Sequence, residues 1–413
     1  MTEIDIAIVG AGAAGLAAAE AVAASPLSCA LLEARDRVGG RAHTLASPAG
    51  PLDLGAAWLH SANHNPLVAR FQTLGLTIDR TPPPWERLSD SPTLPPADQI
   101  EFGRSFEAYE ERLAKAAHEP DDAPASVFLE PGNRWNPLLN AFSAFYNGAE
   151  FDQVSVHDYG AYDDSEVNWR VAQGYGAGVA ALAPPRTSDI AMALSCPVSR
   201  IRHDGPRLEL DTPRGVLSAR AVIVCVPTAI LSGGGLSFFP ALPDKVEAAA
   251  GLPLGLADKV FLGVDEPEAF AAETMLYGAP HKTATGSYHL RPFHRPMIEA
   301  FLGGAHARAL EGEGPGAAAD FAIEELVAIY GTGLRSRIHV LTQTAWAADP
   351  YALGSYSHAL PGHAGDRARL AAPVGGRLFF AGEACSADAF STVHGAWLTG
   401  REAARQAIAA LGV

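Results

Sequence analysis

Three glycines, Gly10, Gly12 and Gly15, with Glu33 eighteen residues beyond the last, are the first residues whose types and spacing define a chemistry. In the run Gly10-Ala11-Gly12-Ala13-Ala14-Gly15 one glycine permits a tight turn. A second lets the backbone approach a pyrophosphate, and the third lets a helix pack closely on a strand. The start of that helix offers unpaired N–H groups and a partial positive charge to phosphate. Glu33 can accept hydrogen bonds from ribose hydroxyls. These residues imply a bound dinucleotide and do not distinguish NAD from FAD.

Further motifs narrow the choice. After Glu33 the chain runs Ala34-Arg35-Asp36-Arg37-Val38-Gly39-Gly40-Arg41, where the glycine pair would let backbone lie against a cofactor and Arg41 could neutralise pyrophosphate. Asp53-Leu54-Gly55-Ala56-Ala57-Trp58-Leu59-His60 follows. Near the C-terminus, Phe380-Ala381-Gly382-Glu383 ends a strand at a close-approach glycine, and Ser391 or Thr392 can cap the last helix. Gly395 and Gly400 each lower helix propensity by about 1 kcal/mol, which points to close packing of that helix.

Taken together, Gly10/Gly12/Gly15, Glu33, Gly39-Gly40-Arg41, Asp53 to Trp58, Leu378 to Glu383 and Thr392 to Ala396 resemble the flavin-containing amine oxidase family, specifically its polyamine oxidase-like branch. The resemblance spans both ends of the chain and, more loosely, its middle; it is weakest over residues 77 to 160. It implies FAD, held by Gly10, Gly12, Ala14, Gly15, Glu33, Ala34, Arg35, Gly40, Arg41, Gly55, Ala56, Ala57, Trp58, Val198, Gly382, Glu383, Thr392 and Val393. It also implies catalytic positions at Lys259, Tyr356, Trp58, His60 and Thr392. Lys259, on Ala257 to Leu262, resembles the lysine that contacts flavin N5 through a water. Tyr356 resembles one wall of an aromatic cage for the amine. Where monoamine oxidases carry the cysteine that attaches FAD, this chain has Ser355, so the resemblance implies dissociable FAD. The opposite aromatic wall falls at Thr392, as in polyamine oxidases. The chain has no long helical insertion to recruit a chromatin partner, which disfavours histone demethylation.

The reaction so implied is hydride transfer from an amine to FAD, hydrolysis of the imine, and reduction of molecular oxygen to hydrogen peroxide. Related alternatives are oxidation of an amino acid, with Arg170 or Arg291 clamping its carboxylate, or of a carotenoid-type or porphyrinogen substrate. A flavin-binding protein without turnover is a further alternative. His281, His289 and His294 cluster without acids at ligand spacing, so no metal site is expected.

Elements that could position these residues are legible. Ile4–Val9, the alanine-rich run 13–24 and Cys29–Glu33 read as strand, helix and strand, a βαβ unit. Phe102, Phe106, Tyr109 and Leu113 recur at helical spacing and read as core. Residues 198–201, 207–211 and 221–226 read as strands, Lys259–Val264 as another, and Ala317–Tyr330 as a helix. Strand 377–380 and helix 392–411 close the chain. The expected fold is mixed α/β: a discontinuous Rossmann-type FAD-binding domain (1–76, 188–245, 350–413) with an inserted substrate-binding domain (77–187, 246–349).

The 413 residues are 48% hydrophobic and only 18% charged, enough for a substantial core. A net charge of −16 disfavours nucleic acid and anionic membranes as partners. Cys29, Cys196, Cys225 and Cys385 are widely spaced and form no metal-type pair. With no basic segment at the start and no long apolar span, a cytoplasmic enzyme is expected.

Overall fold

The computed structural model describes every residue except Met1, Arg186 and Ser188, so the segment boundary expected at 188 lies outside the described residues. Thr2–Val9 is a central strand of an eight-stranded sheet. Its apolar run is covered on both faces, as a buried parallel strand requires. Cys29–Leu32 pairs with one of its edges and carries Ile190–Ala193 beyond it; Gly215–Val224 pairs with the other, all in parallel.

The helices Ala13–Ala23 and Val393–Ala410 lie side by side on one face, packing Leu16 and Trp397 onto Ile6, Ile8 and Phe379 of the sheet. Their contact is backbone to backbone: a Cβ on Gly400 would stand 2.0 Å from the Ala14 carbonyl oxygen. Ala7, Val9, Ile201, Val222 and Phe380 form the core of the opposite face.

Gly215–Val224 begins six residues earlier than the expected strand. Its first half pairs antiparallel with Leu208–Thr212, which pairs in turn with Arg200–Arg202, while Val222–Val224 pair in parallel with Leu378–Phe380. One strand thus joins the antiparallel hairpin to the parallel nucleotide sheet.

The second sheet is antiparallel, in the order Thr274–Tyr277, Ser287–Leu290, Met297–Gly303, Ala257–Val264, Ile338–Gln343. Ala257–Val264 is buried at every position. Strand alternation sends Val260 and Leu262 toward helices Gly304–Glu313 and Ala317–Tyr330. Phe261 packs instead on Leu52 and Met297, and Lys259 lies on that same face, toward the nucleotide sheet. Helices Pro96–Ala116, Asn136–Asn147 and Val156–Ala161 form a separate layer around Phe102, Tyr109, Leu113, Phe142 and Phe151.

Two segments expected in the substrate-binding domain pack against the nucleotide sheet. Trp169–Val171 pairs with Trp58–Leu59 and Ile78–Asp79, which draws Val171, Tyr175 and Val179 into the core beneath the first helix. Helix Pro243–Gly251 places Ala248 and Ala249 in the other core of the nucleotide sheet. Residues 167–183 and 246–252 therefore pack with the nucleotide-binding part. Among the described residues no helix is long and apolar enough to cross a membrane.

Candidate active site

Nearly every residue singled out from the sequence lines one continuous cavity of about 1020 Å³ that runs from the glycine turn to the helical layer. Gly10 (φ +101°) makes the turn, and a Cβ there would meet the Cys225 carbonyl oxygen at 2.9 Å. Gly12 has open space where a Cβ would be. Gly15 does not line the cavity: a Cβ there would stand 1.8 Å from the Gly10 carbonyl oxygen, so its role is to let helix and turn pack. No side chain caps the first helix at Gly12, so N–H groups at Ala13 and Ala14 face the cavity. Glu33 accepts from the Ala11 N–H (2.6 Å) and the Arg35 N–H (2.8 Å), holding the turn against the following loop. Ala34, Arg35, Gly40, Gly55, Ala56, Ala57 and Val198 line the same end. Gly55 is required by a chain crossing, since a Cβ would stand 1.9 Å from the Arg41 carbonyl oxygen.

Glu383 is the junction between segments. It is buried and ion-paired to Arg41 at 3.0 Å, and it accepts from the Ser357 hydroxyl (2.6 Å) and the Ser391 N–H (3.1 Å). Burial opposes its ionisation, but Arg41, Ser357 and Arg367 outweigh that and hold the carboxyl below the ordinary range. Beside it Thr392 caps the last helix, accepting from the Gly395 N–H at 3.0 Å, and Val393 lines the cavity. Open glycine backbone, uncapped helix N–H groups and a balanced Arg41–Glu383 pair fit the extended, doubly charged body of FAD.

Lys259 is only 4% exposed. Its ammonium contacts Glu299 Oε1 at 2.7 Å and donates to the Asp53 carbonyl at 2.9 Å, with the Phe301 ring 5.9 Å away. The lysine is thus an interior cation rather than a surface residue of a strand. Ser355 is locked to Ala257, its hydroxyl donating to the carbonyl and accepting from the N–H, both at 2.9 Å. Tyr356 donates its hydroxyl to the Phe145 carbonyl.

Beyond these residues the cavity becomes an aromatic chamber. Trp58 meets Trp85 edge-on at 4.5 Å, and Phe106, Phe142, Phe145, Tyr146, Tyr159, Tyr277 and Phe301 supply further wall. His60 Nδ1 lies 2.6 Å from Asn168 Oδ1, and the Asn168 amide nitrogen donates to the Glu166 carbonyl. That second bond orients the amide, so Nδ1 carries the proton and Nε2 keeps its lone pair. Burial lowers the His60 pKa, which keeps the ring neutral. Glu86, Asp164 and Glu166 are exposed at the rim, while Glu110 is half-buried inside; none forms an ion pair among the described residues.

The two arginines considered as carboxylate clamps are committed elsewhere. Arg170 is buried between Asp79 (2.6 Å) and Glu273 (2.9 Å), Arg291 pairs with Glu268 at 3.0 Å, and neither lines the cavity. His289 donates its Nε2–H to the Glu273 carboxylate at 2.9 Å. Among the described residues no group of His, Cys, Asp and Glu could hold a metal ion, and the four cysteines are free thiols.

Sequence reasoning missed Glu299, Asn168, Glu110 and the aromatic wall. Two signals existed: a lone acid in the apolar strand Met297–Gly303, and Phe142, Phe145 and Tyr146 on one face of their helix. Asn168 lies 108 residues from its partner His60 and carries no local signal. Phe106, expected as core, packs on Phe102 and Phe142 at the edge of the helical core and also lines the chamber.

A dinucleotide cradle opening onto an aromatic side-chain chamber with an interior lysine defines an FAD-dependent oxidoreductase. The chain belongs to the family described as flavin containing amine oxidoreductase, whose profile matches residues 97–408. A NAD(P)-binding Rossmann-like domain profile matches residues 8–73. Relatives include polyamine oxidase 5 of Oryza sativa subsp. japonica (29% identity, 96% of this chain, 86% of the relative). Polyamine oxidase 2 of Arabidopsis thaliana is similar at 28% identity over 96% of this chain and 86% of the relative. Among solved structures, putrescine oxidase with bound putrescine superposes with a TM-score of 0.80 at 20% identity, covering 98% of this chain and 99% of that one. Cyclohexylamine oxidase from Brevibacterium oxydans IH-35A gives a TM-score of 0.77 at 22% identity, covering 99% and 100%. The protein is an FAD-dependent amine oxidoreductase.

Proposed function

We propose that the substrate is a polyamine or diamine, that FAD is bound without a covalent link, and that molecular oxygen accepts the electrons and is released as hydrogen peroxide. The observation that carries this reading is one continuous cavity in which the nucleotide cradle meets an aromatic chamber lined by Glu110, a carboxylate in no ion pair among the described residues. The names of the plant relatives support the substrate class. Ser355, bonded to Ala257 at the position where a covalently attached flavin would need a thiol, supports dissociable FAD. Commitment of Arg170 and Arg291 to their own carboxylates argues against an amino acid.

Bound FAD supplies the two-electron acceptor for oxidation of the carbon next to nitrogen. The protein must deliver the amine uncharged, since an ammonium has no lone pair to drive that oxidation. With lysine as the reference, deprotonation at neutral pH costs about 4 kcal/mol. Asn168 fixes the His60 tautomer whose Nε2 keeps a lone pair, so the neutral ring can accept a hydrogen bond from the amine N–H, while the amine's own proton is lost to water as it enters the chamber. Trp58, Tyr356 and Thr392 wall the reacting end, and exclusion of water by the rings favours the neutral amine. The Lys259 ammonium, held by Glu299 and the Asp53 carbonyl, orients water and stabilises negative charge developing on oxygen. The imine leaves and is hydrolysed by water to an aldehyde and, from an internal nitrogen, the shortened amine, or, from a terminal nitrogen, ammonia. The four free thiols support a reducing, cytoplasmic setting.

The purified protein should be yellow, release its flavin into the supernatant on acid precipitation, and bleach when a polyamine is added without oxygen. Flavin retained in the pellet contradicts the dissociable cofactor, and bleaching by amino acids but by no amine refutes the substrate class. Lys259→Met should slow reoxidation by oxygen about a hundredfold, the scale of losing one preorganised charge donor; an unchanged rate removes its assigned role.

A further inference from the structure

Inside the chamber, one half-buried carboxylate has no partner of opposite sign among the described residues. Glu110 lies on helix Pro96–Ala116, one turn after Phe106, so both present to the same face. Its carboxylate accepts a hydrogen bond from the Tyr159 hydroxyl at 2.6 Å and, among the described residues, pairs with no cation. Cations near it in sequence are engaged or turned away: Arg112 donates to the Phe128 carbonyl at 2.8 Å and lies over the Tyr109 ring, and Lys115 is exposed. Burial pushes the Glu110 carboxyl above its ordinary range, and the Tyr159 bond offsets only part of that. The interior ammonium of the chamber, Lys259, is already neutralised by Glu299.

A continuous aromatic wall joins Glu110 to the Lys259 end. Phe106 meets Phe142 at 5.8 Å, Phe142 meets Phe145 at 6.1 Å, and Phe145 meets Phe301 at 6.1 Å beside the Lys259 ammonium. Tyr356 bonds the Phe145 carbonyl from the reacting end. The rings would cover methylenes and the carboxylate would take a charge, which describes an alkyl chain with an ammonium at each end. A single carboxylate among rings is a poor metal site but a good organic cation site.

We propose that Glu110, with Phe106, Tyr146 and Tyr159 around it, is the subsite that holds the second ammonium of the substrate and so selects diamines and polyamines over monoamines. This deepens the amine reading above and rests on it. Glu86, Asp164 and Glu166 are exposed at the rim, whereas Glu110 is inside the chamber, so Glu110 fixes the distance between the reacting nitrogen and the distant charge.

The test is anaerobic flavin reduction in the FAD-loaded protein by a series of linear α,ω-diaminoalkanes and the matching n-alkylamines. Glu110→Gln keeps the size and the Tyr159 bond. It should raise the diamine concentration for half-maximal rate by about tenfold or more, the loss of one charge-assisted contact, with the maximal rate within about twofold. The n-alkylamines should be unaffected. Glu110→Asp withdraws the carboxylate by about 1.5 Å and should move the preferred diamine one methylene longer. Equal losses for diamines and alkylamines, or no change for either, overturn the subsite while leaving amine oxidation standing. Failure of every amine to reduce the wild-type flavin overturns the amine reading and the subsite with it.

Discussion

The two ends of the cavity are built on different principles. The nucleotide end is made of backbone: Gly10, Gly12 and Gly15 act through what they lack, and the helix start at Ala13 offers N–H groups. The chamber end is made of side chains brought from separate elements: Glu110 from one helix, Phe142 and Tyr146 from another, Lys259 and Glu299 from neighbouring strands. A backbone site demands specific residue types at fixed spacing, because any Cβ collides. A side-chain site can be assembled from any element that reaches it. The first should therefore fail abruptly on small substitutions, and the second should change in degree.

The sharpest break should come at Gly15. A Cβ 1.8 Å from a carbonyl oxygen forces the turn away from the helix, so Gly15→Ala should cost about 3 kcal/mol or more and abolish FAD retention. Urea midpoints and visible absorbance check both; a stable yellow variant would show that the turn relaxes more easily than its packing implies. Next is the chamber's buried pair. Lys259→Met leaves Glu299 uncompensated and should destabilise the protein by about 2 to 3 kcal/mol, below the range for fully buried pairs because Glu299 faces the cavity. Lys259→Met with Glu299→Gln should recover most of that loss, and a double-mutant cycle showing no coupling would discard the pair as a stabilising unit.

The smallest effect concerns the boundary between the two ends, where His394 starts the last helix. Burial, assisted by neighbouring His60, lowers its pKa to about 4. An unfolded histidine has a higher pKa and binds protons first on acidification. Stability is therefore lost as pH falls below about 6.5, and the loss levels off near the folded value. At pH 5 the loss from this residue is about 2 kcal/mol. Comparing urea midpoints at neutral pH and pH 5, His394→Gln should be less pH-sensitive than wild type by that amount; equal sensitivity would assign the acid response to other groups.

Legibility in the sequence followed the same division. The βαβ unit, the helix Ala317–Tyr330 and the strand carrying Lys259 stand within a residue or two of where pattern placed them, because each is specified by its own apolar run and turn residues. The strand expected at 221–226 starts instead at Gly215, since the extra residues are stabilised by a hairpin partner rather than by their own pattern. The packing of residues 167–183 was not legible locally, because pairing of Trp169–Val171 with Trp58–Leu59, a non-local event, decides where they pack.

The sequence by itself determined the cradle and hence the cofactor class: glycine is irreplaceable at a turn or crossing, so its positions can be read directly. Only the tertiary structure decided that Lys259 is caged by Glu299, that Asn168 orients His60 across 108 residues, and that Glu110 faces an aromatic interior with no ion-pair partner among the described residues. Charge and burial at those positions arise from which elements meet, and a carboxylate on a helix reads the same in sequence whether it faces water or a cavity.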